Sequence, residues 1–403
     1  MAKLNWKIKN EDAGSFEFIS SVQSFTYTQG RQSVLDNYSG GTAQITMRNN
    51  AGQVAEASLK FRARIVLSCS PYEVLGFEDV FVGWVAGIDY NDTPGDANDA
   101  TAVITLVDAW VLAGQQIADN QVLLSNDYQI NEIDALLAYP GYIAQTPFAG
   151  TSSIRGSLNY SGDYASRLNQ IVASDRGVFS IGGMYTYYPL SYIWSRNTSP
   201  SSYSFGRTAS ADVIAYESFQ RVKAVGNKTY VNQAFVTPED LATQMASNGY
   251  IYFVGASAIT VSTLNTTTGD GLNTARWIAN SMGDNLERQS YQITVRDTTQ
   301  TGVVKLLAFI NNGGNPMLEY KIPGAGYEIE RVVSEGVTVR GYIDHTEIDV
   351  YFSPFTYYNY FILNDDDSGV LGGTPTYDSE IDYDEIGFTY DDSSVDSGSR
   401  LGW

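Results

Sequence analysis

From Ser15 to about Val107 apolar and polar positions alternate. In Thr42–Arg48, Ala43, Ile45 and Met47 fall on one face and Thr42, Gln44, Thr46 and Arg48 on the other, the pattern of a half-buried strand. Leu59 to Cys69 predicts a second such strand, with Leu59, Phe61, Ala63, Ile65, Leu67 and Cys69 inward and Lys60, Arg62 and Arg64 toward water. Cys69 then reads as a small core residue. Val80 to Ile88 and Ala102 to Val107 continue the alternation, separated by the chain breakers of Asn91-Asp92-Thr93-Pro94-Gly95-Asp96. Several strands at short spacing with no helix between them predict a sandwich or barrel.

The pattern changes at Asp108, whose side chain suits a helix N-cap ahead of Trp110, Val111, Leu112 and Ile117. A second helix is predicted over Asp127 to Ala138, with Ile130, Ile133 and Leu137 on one stripe and a stop at Pro140-Gly141. A third begins at Asp163, carries Tyr164, Leu168, Ile171 and Val172, and closes at Gly177. Val178 to Tyr188 reads as a hairpin turning on Gly182-Gly183, and Asn197 to Ser204 as a linker. Strands resume from Val213 to Val225. Helices follow from Thr237-Pro238-Glu239-Asp240 through Leu241 and Met245, and over Thr274 to Met282 with Trp277 and Ile278. Tyr291 to Phe361 returns to strands, with turns at Asn311-Asn312-Gly313-Gly314 and Pro323-Gly324-Ala325-Gly326.

The expected organisation is therefore mainly β. A first β-domain covers 1–118, an α+β insert and linker 119–204, and a second β-domain with two helices 205–363. Residues 364–403 form an acidic Tyr/Asp-rich extension with eleven acids against one Arg, net −10 of a total of −21. Its Tyr377-Asp378, Tyr383-Asp384 and Tyr390-Asp391 recur at six and seven residues. Such a segment is either an acidic tail or a docking strap, in which Tyr377, Tyr383 and Tyr390 fill pockets on a neighbour and the acids meet its basic rim.

Charge and composition remove several function classes. With 45 acidic against 24 basic residues, the average surface repels phosphate, so sequence-specific nucleic-acid binding is not expected. One Cys and one His preclude an intrachain disulfide and any zinc cage built from those residues. The N-terminus lacks an apolar targeting segment, and no stretch approaches the roughly 18 apolar residues of a membrane span. The expectation is a soluble chain made in the cytoplasm, without a cofactor.

The search for chemistry finds little. His345, between Asp344 and Glu347, has no identifiable nucleophile and reads as a turn or interface residue. Asp382-Tyr383-Asp384 begins like a calcium loop, but Ile386 and Ser393 stand where ligands are needed. Asp365-Asp366-Asp367 reads as a solvated acidic cluster, and Gly324-Ala325-Gly326 as a turn without the third glycine of a phosphate cradle. Tyr351, Phe352, Phe355, Tyr357, Tyr358, Tyr360 and Phe361 put seven aromatics within eleven residues. They fit packing and subunit contact, with Tyr357, Tyr358 and Tyr360 as partner-binding candidates; alternatively they form a sugar-stacking surface. Two carboxylates of a glycosidase are never excluded by sequence.

The stretch Thr26-Tyr27-Thr28-Gln29-Gly30-Arg31 through Leu35-Asp36, Ser39-Gly40-Gly41-Thr42-Ala43 and on to Asn49 resembles the N-terminal region of tailed-phage minor tail proteins. Matches in family order follow at Phe81-Val82-Gly83-Trp84-Val85, Asp108-Ala109, Asp175-Arg176-Gly177, Arg221-Val222, Ala275 to Met282 and Val339 to Thr346. Ala51-Gly52-Gln53-Val54 departs from the loop usual after the first strands.

The resemblance spans roughly residues 15 to 363. It implies a non-enzymatic tail-tip or baseplate hub subunit with two tube-like β-barrel domains, three copies of which mimic a sixfold ring around the DNA exit channel. Implied partners are the distal tail ring, tip or fibre proteins and the tape measure, and the implied location is the virion tail, assembled in the host cytoplasm. The alternative from the aromatic cluster is a receptor-binding, carbohydrate-binding tail protein.

Overall fold

The computed structural model describes residues 5–10, 18–19, 22–49, 54, 59–70, 78–91, 100–122, 133, 136, 159–175, 177–179, 187–188, 204–206, 213–225, 229–231, 234–236, 259–262, 264, 275, 278, 287–297, 306–307, 310, 316–342 and 344–358. Seven strands open the chain: β1 (Asn5–Asn10), β2 (Phe18–Ile19), β3 (Val22–Gly30), β4 (Ser39–Arg48), β5 (Arg64–Ser70), β6 (Glu78–Asn91) and β7 (Thr101–Val107). Helix α1 (Ala109–Gly114), β8 (Ile117–Val122), β9 (Asn159–Asp163), helix α2 (Tyr164–Asp175), β10 (Val178–Phe179) and β11 (Tyr187–Tyr188) follow. The rest comprises β12 (Ser204–Gly206), β13 (Val213–Ala215), β14 (Ser218–Val225), β15 (Thr229–Val231), β16 (Ala234–Val236), β17 (Ile259–Val261), β18 (Glu287–Asp297), β19 (Met317–Ile322), β20 (Gly326–Gly341) and β21 (Thr346–Pro354).

The molecule is mainly β and largely antiparallel, and its first and last strands belong to one fourteen-stranded sheet. The seam is the antiparallel pairing of β3 with the second half of β20, from Gly30 opposite Gly336 to Phe25 opposite Gly341. The first half of β20 pairs instead with β19, as a hairpin turning on Gly324 and Gly326, whose φ of 86° and 103° lie in the left-handed region that glycine adopts without strain. The sheet curls enough to bring Trp6 of β1 within 4.4 Å of Phe25 of β3, ring centroid to centroid. Those two strands do not pair, so the expected closed barrel is not found among the described residues.

One large core lies on one face of the sheet. Phe25, Tyr27, Ile45, Met47, Phe81 and Leu106 from the first strands are continuous with Ile293, Val339, Val350 and Phe352 from the last. Alternation explains β4, where Ala43, Ile45 and Met47 are buried while Thr42, Gln44 and Arg48 are exposed. It fails in β6, where Val80 to Val85 are all buried. A second core of Val66, Val82, Trp84, Trp110, Leu168 and Ile171 covers the outer face of β5 and β6 with α1 and α2, so both strand faces are apolar.

Two local expectations are corrected. The strand predicted from Leu59 begins only at Arg64; Lys60 to Ala63 form a turn, closed by Ala63 N–H donating to Lys60 O at 2.9 Å. Arg62 has φ of 66°, and Phe61 is 70% exposed instead of inward. Within the predicted all-strand stretch after Tyr291, Leu306, Leu307 and Ile310 are helical and buried, an i, i+1, i+4 face. The helix start at Thr237, the hairpin tip at Gly182-Gly183 and residues 359–403 lie outside the described residues.

Gly341 shows how tightly the seam packs. A Cβ there would stand 1.9 Å from Phe25 Cε1, and Phe25 is itself held against Trp6. Gly341→Ala is therefore expected to destabilise by about 1–3 kcal/mol through overpacking, measurable as a lower urea midpoint at unchanged m-value.

Candidate functional site

The side of the sheet facing away from the large core carries ordered rows of polar side chains. Cross-strand register aligns Ser218, Thr294, Asp349, Thr338, Thr28 and Thr42 in one row across β14, β18, β21, β20, β3 and β4. The row beside it runs Arg296, Glu347, Arg340, Thr26, Gln44 and Thr105 from β18 to β7. At about 4.8 Å per strand, this polar face is on the order of 30 Å wide. Only four side chains in the two rows are charged, and Arg296 and Arg340 balance Glu347 and Asp349. In a chain of net charge −21, the face is locally neutral.

Its charges are internally matched. Arg340 Nη2 donates to Asp349 Oδ2 at 2.5 Å, and its Nη1 lies 3.7 Å from Glu347 Oε2. Asp349 is 4% exposed, and its other oxygen accepts from the Thr294 hydroxyl at 2.7 Å, which in turn accepts from Ser218 Oγ at 2.8 Å. Burial alone would lower the Arg340 guanidinium, but the hydrogen bond and charge of Asp349, with Glu347 behind it, raise it above its ordinary value. Arg340 is a permanent cation held by carboxylates. An open groove of about 440 Å³ lies beside the first row, lined by Thr28, Gly30, Asp36, Asn37, Thr338 and Tyr351.

The connection from β3 to β4 ties this face to the rest of the molecule. A bulge between Ser334 and Gly336, opposite β21, accompanies the burial of Glu335, whose Oε2 accepts from Arg31 Nε at 2.7 Å. Arg31 Nη2 also donates to Gly177 O just beyond α2, and its guanidinium lies 4.6 Å from the Tyr38 ring. Tyr38 exchanges two hydrogen bonds with the Asn169 amide of α2, at 2.7 and 3.1 Å. Val34 N–H donates to Ser353 Oγ of β21 at 2.9 Å. One loop thus fastens first strands, insert helix and last strands together.

The residues singled out in the sequence are placed as follows. Tyr357 is 3% exposed and its hydroxyl accepts from Gln289 N–H, so it packs inside this chain. Tyr358 ends a 3-10 turn at Phe355–Tyr358, while Tyr360, Tyr377, Tyr383 and Tyr390 lie outside the described residues. Phe352 and Phe355 are buried too, so these members of the aromatic cluster form no stacking surface. His345 closes the β20–β21 turn: its carbonyl accepts from Tyr342 N–H, its ring stacks on Tyr342, and Nδ1 lies 2.8 Å from Asp344 Oδ1. That is a turn residue, as its sequence context suggested.

On the core side, the Tyr291 and Tyr320 hydroxyls donate to Glu330, pinning the β19–β20 hairpin onto β18. Burial raises the Glu330 carboxyl, and burial with Glu330 nearby pushes Tyr320 up to about 12. No group of three or more His, Cys, Asp or Glu able to hold a metal ion occurs among the described residues.

Comparison with solved structures places this architecture. The chain superposes on the 43 kDa tail protein of prophage MuSo2 from Shewanella oneidensis with a TM-score of 0.54 and 11% identity, covering 88% of this chain and 98% of that one. A tail protein from Neisseria meningitidis MC58 gives a TM-score of 0.56 and 11% identity over 88% and 97%. The fold is that of phage tail proteins. No family model and no curated protein sequence matches the chain. The superposition extends over nearly the whole of both tail proteins.

Proposed function

We propose that this chain is a structural subunit of a phage tail, a hub ring component whose polar sheet face surrounds the DNA exit channel. The observation that carries the reading is the strand order β6-β7-β4-β3-β20-β21-β18-β14, in which every neighbouring pair is antiparallel. Its first four and last four strands share one alternation of direction, which suits the proposed arrangement of two quartets per chain in a curved wall. Three copies would supply six quartets, about 24 strands, and at about 4.8 Å each these close a wall roughly 115 Å around and 37 Å across. A nucleic-acid duplex about 20 Å wide fits through it.

A threefold component that presents six equivalent quartets can meet a sixfold tail tube without any catalytic group. The neutral Thr-rich face suits the inner wall, and the likeness to tail proteins over 88% of the chain supports the setting. The working assembly is a homotrimer in the virion tail, joined to the distal tail ring and to tip or fibre proteins, with the tape measure ending at its mouth. Residues 364–403 are then a strap for a neighbouring tip protein, with Tyr377, Tyr383 and Tyr390 as anchors.

Light scattering during size exclusion tests the assembly. A trimer of about 130 kDa, three times 44.2 kDa, is expected. A chain that stays monomeric at all concentrations, alone and with tail tube, contradicts the ring.

A further inference from the structure

The polar face contains one arrangement that wall-building alone does not require. Arg340 stands near the middle of the two rows with its side chain 34% exposed, and two carboxylates of β21 hold it from one side. Hydroxyl and amide side chains flank it on β3 and β4, namely Thr26, Thr28, Thr42 and Gln44. A guanidinium on an uncharged hydroxyl surface is a phosphate-binding group, because its planar fork of donors matches phosphate oxygens.

We propose that Asp349 and Glu347 mask Arg340, so that a polyphosphate chain passes over this face without being gripped. The inference rests on the reading that the face lines a nucleic-acid passage. Asp349 occupies a donor of the guanidinium at 2.5 Å, and Glu347 lies close to a second nitrogen. Thr294, backed by Ser218, donates to the far oxygen of Asp349 and fixes the carboxylate toward Arg340. Arg296 faces Glu347 from β18, so the row alternates positive, negative, positive. With both carboxylates neutralised, two arginines two strands apart would face the passage, Arg340 without its two carboxylates and Arg296 with only the exposed Asp344 nearby. A moving polyanion would then bind by releasing counterions at each contacted phosphate.

The test uses the full chain carrying Asp349→Asn and Glu347→Gln, substitutions that keep shape and an acceptor oxygen. The probe is a fluorescein-labelled 30-base-pair DNA duplex in low salt, followed by anisotropy. The double variant is expected to bind at least about 10-fold more tightly than the parent, with log affinity falling against log salt at roughly −0.9 per contacted phosphate. Adding Arg340→Gln should abolish the gain. A control with the same change in net charge, Asp119→Asn with Glu319→Gln, should bind no better than the parent.

Circular dichroism melting confirms that each variant is folded before binding is read. Equal binding by parent and double variant overturns the masking, as does a gain that survives Arg340→Gln or appears in the charge control. The experiment needs no ring. A chain that stays monomeric at all concentrations, alone and with tail tube, yet gains binding sinks the hub reading and leaves the masking, whereas a ring whose variant gains none sinks the masking alone.

Discussion

Arg31→Ala is expected to lower the stability of the fold by about 3–5 kcal/mol, because it deprives a fully buried carboxylate of its cation. Arg31 and Glu335 side chains are 3% and 0% exposed and meet at 2.7 Å. Their backbones also join, with Arg31 N–H donating to Glu335 O at 3.0 Å, so the pair closes the seam where the β3–β20 ladder ends. The same guanidinium reaches Gly177 O and covers Tyr38. Its loss is felt in first strands, last strands and insert together.

Because desolvating two charges costs nearly what their attraction returns, the pair is not by itself a large source of stability. The penalty comes from leaving one member behind. Replacing both, as Arg31→Met with Glu335→Leu, should therefore cost less than the sum of the single changes. Urea denaturation of the four members of this cycle measures the coupling. Single changes that each cost under 1 kcal/mol would mean that the contact does not hold the seam.

Asp108→Ala is expected to cost about 3 kcal/mol. Its Oδ1 accepts from Val111 N–H at 3.1 Å and caps α1, worth about 1 kcal/mol. Its Oδ2 accepts from Gly41 N–H at 2.6 Å in a buried setting, and a hydrogen bond to a charged group contributes about 1.5–3 kcal/mol. Gly41 is matched to this contact, since a Cβ there would fall 2.4 Å from the same oxygen. Asp108→Asn should recover only part of the loss, because an amide offers one oxygen to two N–H donors. Thermal unfolding of the two variants separates the shares; a full rescue by Asn would show that the Gly41 contact contributes nothing.

What could be read from the sequence was local. Asp108 and Asp163 announced their helices: Asp163 accepts from Ser166 N–H and hydroxyl at 2.7 Å, and Leu168, Ile171 and Val172 are buried on the predicted stripe. The turn at Pro323 to Gly326 was equally plain from its glycines. Phe61 was misread because alternation carried the strand into a turn, where the ring is exposed and lies near the Arg62 guanidinium. Val80 to Val85 could not reveal that the helical insert covers their outer face, since that depends on packing between distant segments.

The candidate site was hidden for a related reason. Thr28, Thr42 and Thr338 looked like the wet side of separate amphipathic strands, and only the register of β20 on β3, some 300 residues apart, aligns them. Asp349 and Glu335 left faint marks as acids inside the apolar runs Ile348-Asp349-Val350 and Val332 to Val337. Neither mark named a partner. The aromatic cluster drew attention by its density, yet Phe352, Phe355 and Tyr357 are core.

The central claim is that the polar sheet face lines the hole of a ring, and a three-dimensional reconstruction of the assembled ring by electron cryo-microscopy tests it most directly. The account predicts three copies, with the Thr28, Thr42 and Thr338 row on the inner wall and the large core on the outer side of the sheet. A ring with the polar face turned outward, or with that face buried between subunits, would contradict it.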